Sequence, residues 1–448
     1  MLATDLSAFS LSLDRESIAY RTPMKFGGRV VNGVDILTVH CEAEIQSGAR
    51  ASGCGSMTMG VVWAWPSQQL DSEQTLAAVL RLAEKMLADA STSPLSGHPL
   101  DICTQLSKHH QRLAAEVVEE LSLPEPIPEL AILLAASPLE AALFDAHGKA
   151  LQTSSYRLLG KDVLPRDLSV YLGAEFAGLW LDDFVRSAPQ PTMPLYHLVG
   201  ALDPLTDADV VTAVDDGLPE HLARWIERDG LTHLKIKLAG DDLAWDVQRV
   251  AQVSGIADQS SRGSADDWAF SLDFNERCES ADYVLEMLDQ LQSLQPRAIE
   301  RVQYIEQPTH RDLKAHPENT MHRVAARLPV VIDESLLDLE SLLLAREQGY
   351  SGVALKACKG HAEALLMGAV AQHLGMYLCV QDLTCVGISL LHSASLAAHI
   401  PTVAAIESNG RQYCPAGNDA YRDRFPGMFD VQQGRVPTKC LDGPGLGY

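Results

Sequence analysis

Positive charge is scarce in this 448-residue chain: 35 lysines and arginines stand against 59 aspartates and glutamates, for a net charge of -24. Such a surface repels nucleic acid and anionic membranes, and no Lys/Arg cluster offsets it, so neither is expected as a partner. The nine cysteines (Cys41, Cys54, Cys103, Cys278, Cys358, Cys379, Cys385, Cys414 and Cys440) are odd in number and form no CxxC pair. Neither a disulfide framework nor a zinc site is suggested, and reduced thiols in a cytoplasmic protein are the plain reading. No apolar run reaches the ~20 residues of a membrane helix. The opening residues, MLATDLSAFSLSLDRE, lack a basic start followed by an apolar stretch, so no signal peptide is expected. Internal repeats and low-complexity segments are also missing.

What is present is ordinary globular material, 46% hydrophobic and 21% charged, in a chain long enough for a barrel-sized domain and a second module. Residues 30–65 read as strands and turns, punctuated by Gly48, Gly53 and Gly55. Apolar residues at three- and four-residue steps then predict helices over 72–89 and 106–121. Pro138 reads as the first turn of a helix through Asp145. This strand-then-helix block predicts an α+β module over residues 1–165. From 166 to 419 short apolar runs alternate with amphipathic helices. Eight strands are predicted, at 195–200, 231–237, 269–273, 302–306, 330–333, 352–356, 376–380 and 403–407. That is the arithmetic of a TIM-type α/β barrel. A doubly wound open sheet is the alternative, but no GxGxxG follows the first strand. Residues 257–268 read as a surface insertion, and the tail 420–448 is expected to pack on the N-terminal module.

In a barrel the C-terminal strand ends form the active face, so a charge closing an apolar run points into the site. Here Lys235 and Lys237 close one strand at i, i+2, on the same strand face. Asp273 closes the next, followed by Asn275. Glu306 closes the one after, Asp333-Glu334 follow, and Lys356 comes last. Three carboxylates on consecutive strands offer hard oxygen donors that suit one Mg²⁺ ion. Lysines on either side can move a proton beside a substrate carboxylate, a C–H acidic only when a dication draws charge from the carboxylate oxygens. A lone strand-end Asp or Lys is commonly a solvated loop residue or half a salt bridge; the order of all five makes the pattern.

These motifs, LKIK at 234–237, LDFNER at 272–277, YIEQP at 304–308, IDES at 332–335 and LKACKG at 355–360, resemble the enolase superfamily, particularly its muconate lactonizing enzyme-like and mandelate racemase-like branch. SPLEAALFDAHGKA at 137–150 and YRLLGK at 156–161 look like that family's hinge into the barrel. The resemblance implies an α+β capping domain on a modified (β/α)₇β barrel. By motif, it implies Asp273, Glu306 and Asp333 as metal ligands and Lys237 and Lys356 as the acid/base pair, with Lys235 supporting them. Asn275, Glu334, Asp382 and Glu407 would stand behind the ligands or line the pocket. Specificity would lie in the capping loops, residues 20–30 and 52–65, where Trp63 and Trp65 read equally well as substrate cap or core. Lys359 reads as solvent-facing, and Cys379 and Cys385 as buried small hydrophobes. The resemblance also leaves room for a homo-oligomer.

Departures narrow the chemistry. The seventh strand runs Leu378-Cys379-Val380-Gln381-Asp382 without the His of mandelate racemase proper, and Glu407-Ser408-Asn409 is not the Asp-x-Asp of dipeptide epimerases. The leading expectation is a racemase or epimerase passing through an enediolate of a small carboxylate substrate. A dehydratase or cycloisomerase is the runner-up, and a non-catalytic metal-holding binding protein the third reading.

Overall fold

A computed structural model describes residues 1–26, 29–260, 268–401 and 405–448, with the Phe26 side chain left out. The chain starts with an antiparallel sheet of β1 (Leu6–Phe26), β2 (Arg29–Ile45) and β3 (Arg50–Thr58) in the order β1-β2-β3. A short helix α1 (Val61–Ala64) and three long ones follow: α2 (Ser72–Thr92), α3 (Pro99–Leu121) and α4 (Glu129–Ala150). The starts of α2 and α3 have local causes. Asp71 and Gln74 form a reciprocal capping box at α2. At α3, His98 accepts the Leu100 N–H and Pro99 takes the first helical position, where its missing N–H costs nothing.

Helix α4 departs from expectation, because it starts eight residues before Ser137 and carries Pro138 in its interior. Pro138 cannot donate to the Leu134 carbonyl, but the Ser137 hydroxyl does so instead at 2.9 Å, so the ladder is repaired. This helix is also long and apolar enough to cross a membrane, which the sequence reading missed; 94% of its most apolar window is buried inside the protein. A helix apolar on all sides is what a fully enclosed position requires. Gly53 and Gly55, read as turn signals, lie instead within β3. A Cβ on Gly53 would stand 2.2 Å from the Ala146 nitrogen, and one on Gly55 2.1 Å from the Pro138 oxygen. These glycines let the strand backbone lie directly on α4.

The second body is a parallel sheet nearly closed into a barrel. Its strands are β4 (Met193–Val199), β5 (His233–Lys237), β6 (Ala269–Asp273), β7 (Val302–Glu306), β8 (Val330–Ile332), β9 (Gly352–Lys356), β10 (Tyr377–Gln381) and β11 (Ile406–Glu407). They pair in chain order from β4 to β10, and β11 joins beside β4. Helices such as Leu243–Gln259, Ala281–Leu294, His361–His373 and Gly387–His399 link them. Tyr196, Tyr304, Val331, Ala354, Cys379 and Ala405 pack together as a separate buried cluster formed by residues of the sheet strands and the approach to β11. The expected start of the eighth strand at 403, most of the expected insertion at 257–268, and residues 27 and 28 of the expected capping loop lie outside the described residues.

The tail serves both bodies. Arg435–Val436, strand β12, pairs antiparallel with β4, while the Leu446 N–H reaches the Asp145 carboxylate at 3.0 Å and Tyr448 donates to the Cys54 carbonyl at 3.2 Å. A Gly55→Ala substitution forces a methyl into the Pro138 carbonyl and should cost roughly 1–3 kcal/mol as an overpacked contact; urea denaturation showing unchanged stability would mean that β3 does not rest on α4 as described.

Candidate active site

Parallel register gathers the charges. Lys237 of β5, Asp273 of β6 and Glu306 of β7 are direct register partners and lie level across three strands. Asp333 follows the last residue of β8, Lys356 closes β9 level with Gln381 of β10, and Glu407 closes β11. All of these side chains are buried.

Lys235 holds the centre. Its ammonium lies 2.8 Å from Glu306, 2.9 Å from Glu407 and 3.1 Å from Asp273. Lys237 reaches Asp273 Oδ2 at 2.5 Å and Asn275 Oδ1 at 2.9 Å. Lys356 donates to Asp333 Oδ2 at 2.5 Å. Gln381 donates to Glu306 from the far side. The backbone is bent to suit: Asn275, Glu276, Gln307 and Thr384, all just beyond strand ends, have positive φ. Gln307 uses its bend to accept the Asp333 and Ser335 N–H groups at 2.9 and 3.2 Å, fixing the loop that carries Asp333. Non-glycine residues in this region persist only where the surroundings hold them, and such positions cluster at working sites.

The charges do not balance. Six buried carboxylates (Asp273, Glu306, Asp333, Glu334, Asp382 and Glu407) face four buried ammonium groups (Lys235, Lys237, Lys356 and Lys359). Burial opposes every charge here, but the lysines outweigh it at Asp333, held down to about 2 by Lys356, Lys359 and Lys235, and likewise at Asp273. Burial and the neighbouring Asp273 push Glu306 well up; burial and Asp333 push Glu334 up to about 7; burial and Glu407 push Asp382 up to about 7. Burial disfavours the Lys356 ammonium, yet Asp333 outweighs it and holds that pKa up.

Among the described residues, no three Asp, Glu, His or Cys side chains are spaced to hold a metal ion as they stand, because lysine ammonium groups lie between the carboxylates. The donor chemistry nevertheless fits a hard divalent cation. The oxygens are carboxylate, and Asp333 Oδ1 is buried and accepts no hydrogen bond.

Residues 217–448 match the family described as enolase C-terminal domain-like. The chain belongs to that family. Its fold is shared with a mandelate racemase/muconate lactonizing protein from Herpetosiphon aurantiacus, at 20% identity over 91% of this chain and 90% of that one, TM-score 0.57. It is also similar to a dipeptide epimerase from Enterococcus faecalis V583 complexed with Mg and the dipeptide L-Leu-L-Tyr (17% identity, 99% of each chain, TM-score 0.62). A third solved structure, 2-chloromuconate cycloisomerase from Rhodococcus opacus 1CP, matches at 16% identity over 99% of this chain and 96% of that one, TM-score 0.60. No curated protein matches the chain. The mandelate racemase/muconate lactonizing-like branch of the enolase superfamily is therefore its place.

Within this enolase-family barrel some residues stand where the sequence reading did not put them. Lys359 is buried, not solvent-facing: its ammonium bonds the Asp333 carbonyl and lies 3.3 Å from Asp333 Oδ1. Three residues after Lys356, a one-turn 3₁₀ segment (Ala357–Lys359) swings it back to the same carboxylate. Trp63 of the cap donates from Nε1 to Asp333 Oδ2 at 3.2 Å, and its ring centre lies 4.6 Å from the Lys356 ammonium. Its 270-residue separation from Asp333 left no local signal. Trp65 points elsewhere, to Glu125 at 2.7 Å. Glu334 bonds neither lysine pair, while Asp382 accepts Cys385 and Asn409 backbone N–H groups and the Asn409 amide, which makes it a turn-builder. Cys379 and Cys385 are buried, and burial pushes the Cys385 thiol up to about 11, out of reactive range.

Removing the Lys235 ammonium strands three carboxylates without their shared counter-charge. Lys235→Met should cost roughly 3 kcal/mol or more of stability in metal-free protein; a urea midpoint within error of the parent would show that the ammonium is not the central tie.

Proposed function

We propose that this chain is a racemase or epimerase that removes and returns the proton α to a small substrate's carboxylate, with Lys237 and Lys356 as the two acid/base groups. The single observation that carries the reading is the placement of the lysines. β5 and β9 are four strands apart in a ring of eight, so their end residues address a bound molecule from opposite sides, with the carboxylate strands β6, β7 and β8 between. Inversion at a carbon needs one group on each face. Asp273, Glu306 and Asp333 would hold one Mg²⁺, which when bound would draw charge from the substrate carboxylate and acidify the neighbouring C–H. Lys235 keeps Asp273 and Glu306 from repelling one another, and Gln307 fixes the Asp333 loop. The cap, through Trp63, covers the Lys356 side and excludes water there. The epimerase and cycloisomerase names carried by the similar structures lie within the same chemistry.

One asymmetry favours a second reading. Lys237 borders a cavity of about 420 Å³, whereas Lys356 is roofed by Trp63 and held protonated by Asp333. A base on one face and a fixed cation on the other would suit a cycloisomerase or dehydratase.

α-Deuterium uptake by NMR separates the two. In a racemase, Lys237→Ala and Lys356→Ala each abolish turnover yet each leaves exchange of one enantiomer, and the enantiomers differ. If one variant loses all exchange and the other keeps it, the one-base reaction holds. Magnesium is tested by melting: at a free concentration 100 times Kd it should add about 2.7 kcal/mol to the parent's stability, and Asp273→Asn should abolish most of that gain. Equal stabilisation of both proteins would remove Asp273 from the ligand set.

A further inference from the structure

A second cavity, about 310 Å³, lies between the cap and the end of β10, and Trp63 is one of its walls. It is lined by Met24, Val31, Val61, Val62, Leu76 and Leu383, with Tyr20 and Thr384 beside them. Among the described residues of its lining there is no lysine, arginine or histidine. Its two acids do not make it a cation trap: Asp35 already takes the Arg15 guanidinium at 2.7 Å and the Ser17 hydroxyl at 2.5 Å, and Glu73 is exposed at the first turn of α2. Val30, 57% exposed, adds a further apolar surface to the same wall.

The cavity is tied to the candidate active site by the backbone that forms it. Thr58 donates to the Leu383 carbonyl at 2.6 Å, one residue past Asp382. A Cβ on Gly60 would meet the Leu383 side chain at 2.7 Å, so the cap segment is pressed against the β10 loop. Three residues on, Trp63 bonds Asp333 and covers Lys356. The opposite flank, at Lys237, carries positive charge that the described lining of this cavity lacks: Leu202, Leu238 and Trp245 there are joined by Lys25, Asp242 and the paired Arg277 and Asp241. Of the carboxylates nearby, Asp382 accepts three N–H donors around Cys385 and Asn409, and Glu407 lies 2.9 Å from the Lys235 ammonium.

From this we infer that the substrate is a monocarboxylate with an uncharged apolar arm, of branched-aliphatic to single-ring size, lodged in the cavity beside Trp63. The inference rests on the proposed reading of the site as one that binds a carboxylate. An apolar arm gains by leaving water there, while a second carboxylate would be desolvated without a partner.

Calorimetry with the full chain and Mg²⁺ tests it with four achiral probes, whose α-proton exchange is followed separately by NMR: 4-phenylbutanoate, propanoate, pentanedioate and 6-aminohexanoate. The expected result is that 4-phenylbutanoate binds at least tenfold tighter than each of the other three. Val62→Asp should erase that advantage while propanoate binding stays unchanged. Leu76→Ala, a milder change at the same wall, should shift preference toward the longer 6-phenylhexanoate. Tighter binding of pentanedioate or 6-aminohexanoate, or a 4-phenylbutanoate affinity untouched by both variants, overturns the inference. Because binding is read without turnover, the two ideas fail separately. Apolar acids that bind but never exchange their α-proton sink the proposed reaction alone; exchange confined to dicarboxylates or amino acids sinks the apolar arm alone.

Discussion

The barrel mouth is organised by an excess of buried carboxyl groups over ammonium groups, and the Lys235 ammonium is the group that makes it tolerable. An ammonium within 3.1 Å of Asp273, Glu306 and Glu407 offsets the repulsion that three carboxylates on separate strands would otherwise meet. Burial strips water from every one of these groups, so each must find its partner inside the protein. The pairing is incomplete, which leaves Glu306, Glu334 and Asp382 pushed toward their neutral forms. Buried groups with perturbed pKa values are common where side chains are arranged for chemistry and not for stability.

The cap is fastened to the barrel by several polar contacts. The buried Glu140 of α4 accepts the Ala362 N–H at 2.9 Å at the start of the helix His361–His373. Gly360 there has φ of +99° and no room for a Cβ, which would lie 2.7 Å from the Glu140 carboxylate. Burial raises Glu140 to about 7, against the pull of the N–H groups it accepts. Thr58 holds Leu383, and at the mouth itself Trp63 holds Asp333. The same cap segment thus builds the apolar cavity and touches the charged cluster.

His361 packs at the seam between cap and barrel. Its ring packs edge-on to Phe144 at 4.6 Å and bonds His392 at 3.0 Å. Burial keeps its pKa well below the usual range, so the ring is neutral and behaves as packing. The cap's own helix α4 supplies the facing aromatic, so the cap and barrel meet through this contact as well as through Glu140.

Much of the architecture was legible in the chain itself, because strand ends and charges are local. The runs closing at Lys237, Asp273, Glu306 and Lys356 match their strands, and three of the strands, β6, β7 and β9, have the boundaries read from the sequence. Periodicity, apolar length and a terminal charge are properties of five consecutive residues, and register then brings them level without further information. What the tertiary structure decided depends on contacts between distant segments. Pro138 sits inside α4 because Ser137 repairs the ladder and the cap encloses the helix. Gly53 and Gly55 belong to a strand because Ala146 and Pro138 lie against them. Lys359 turns inward because Asp333 is there to receive it, and Trp63 becomes part of the site because folding brings it to a residue 270 positions away. Spacing along the chain determines which groups leave one face of a strand, but only packing determines which remote side chain meets them.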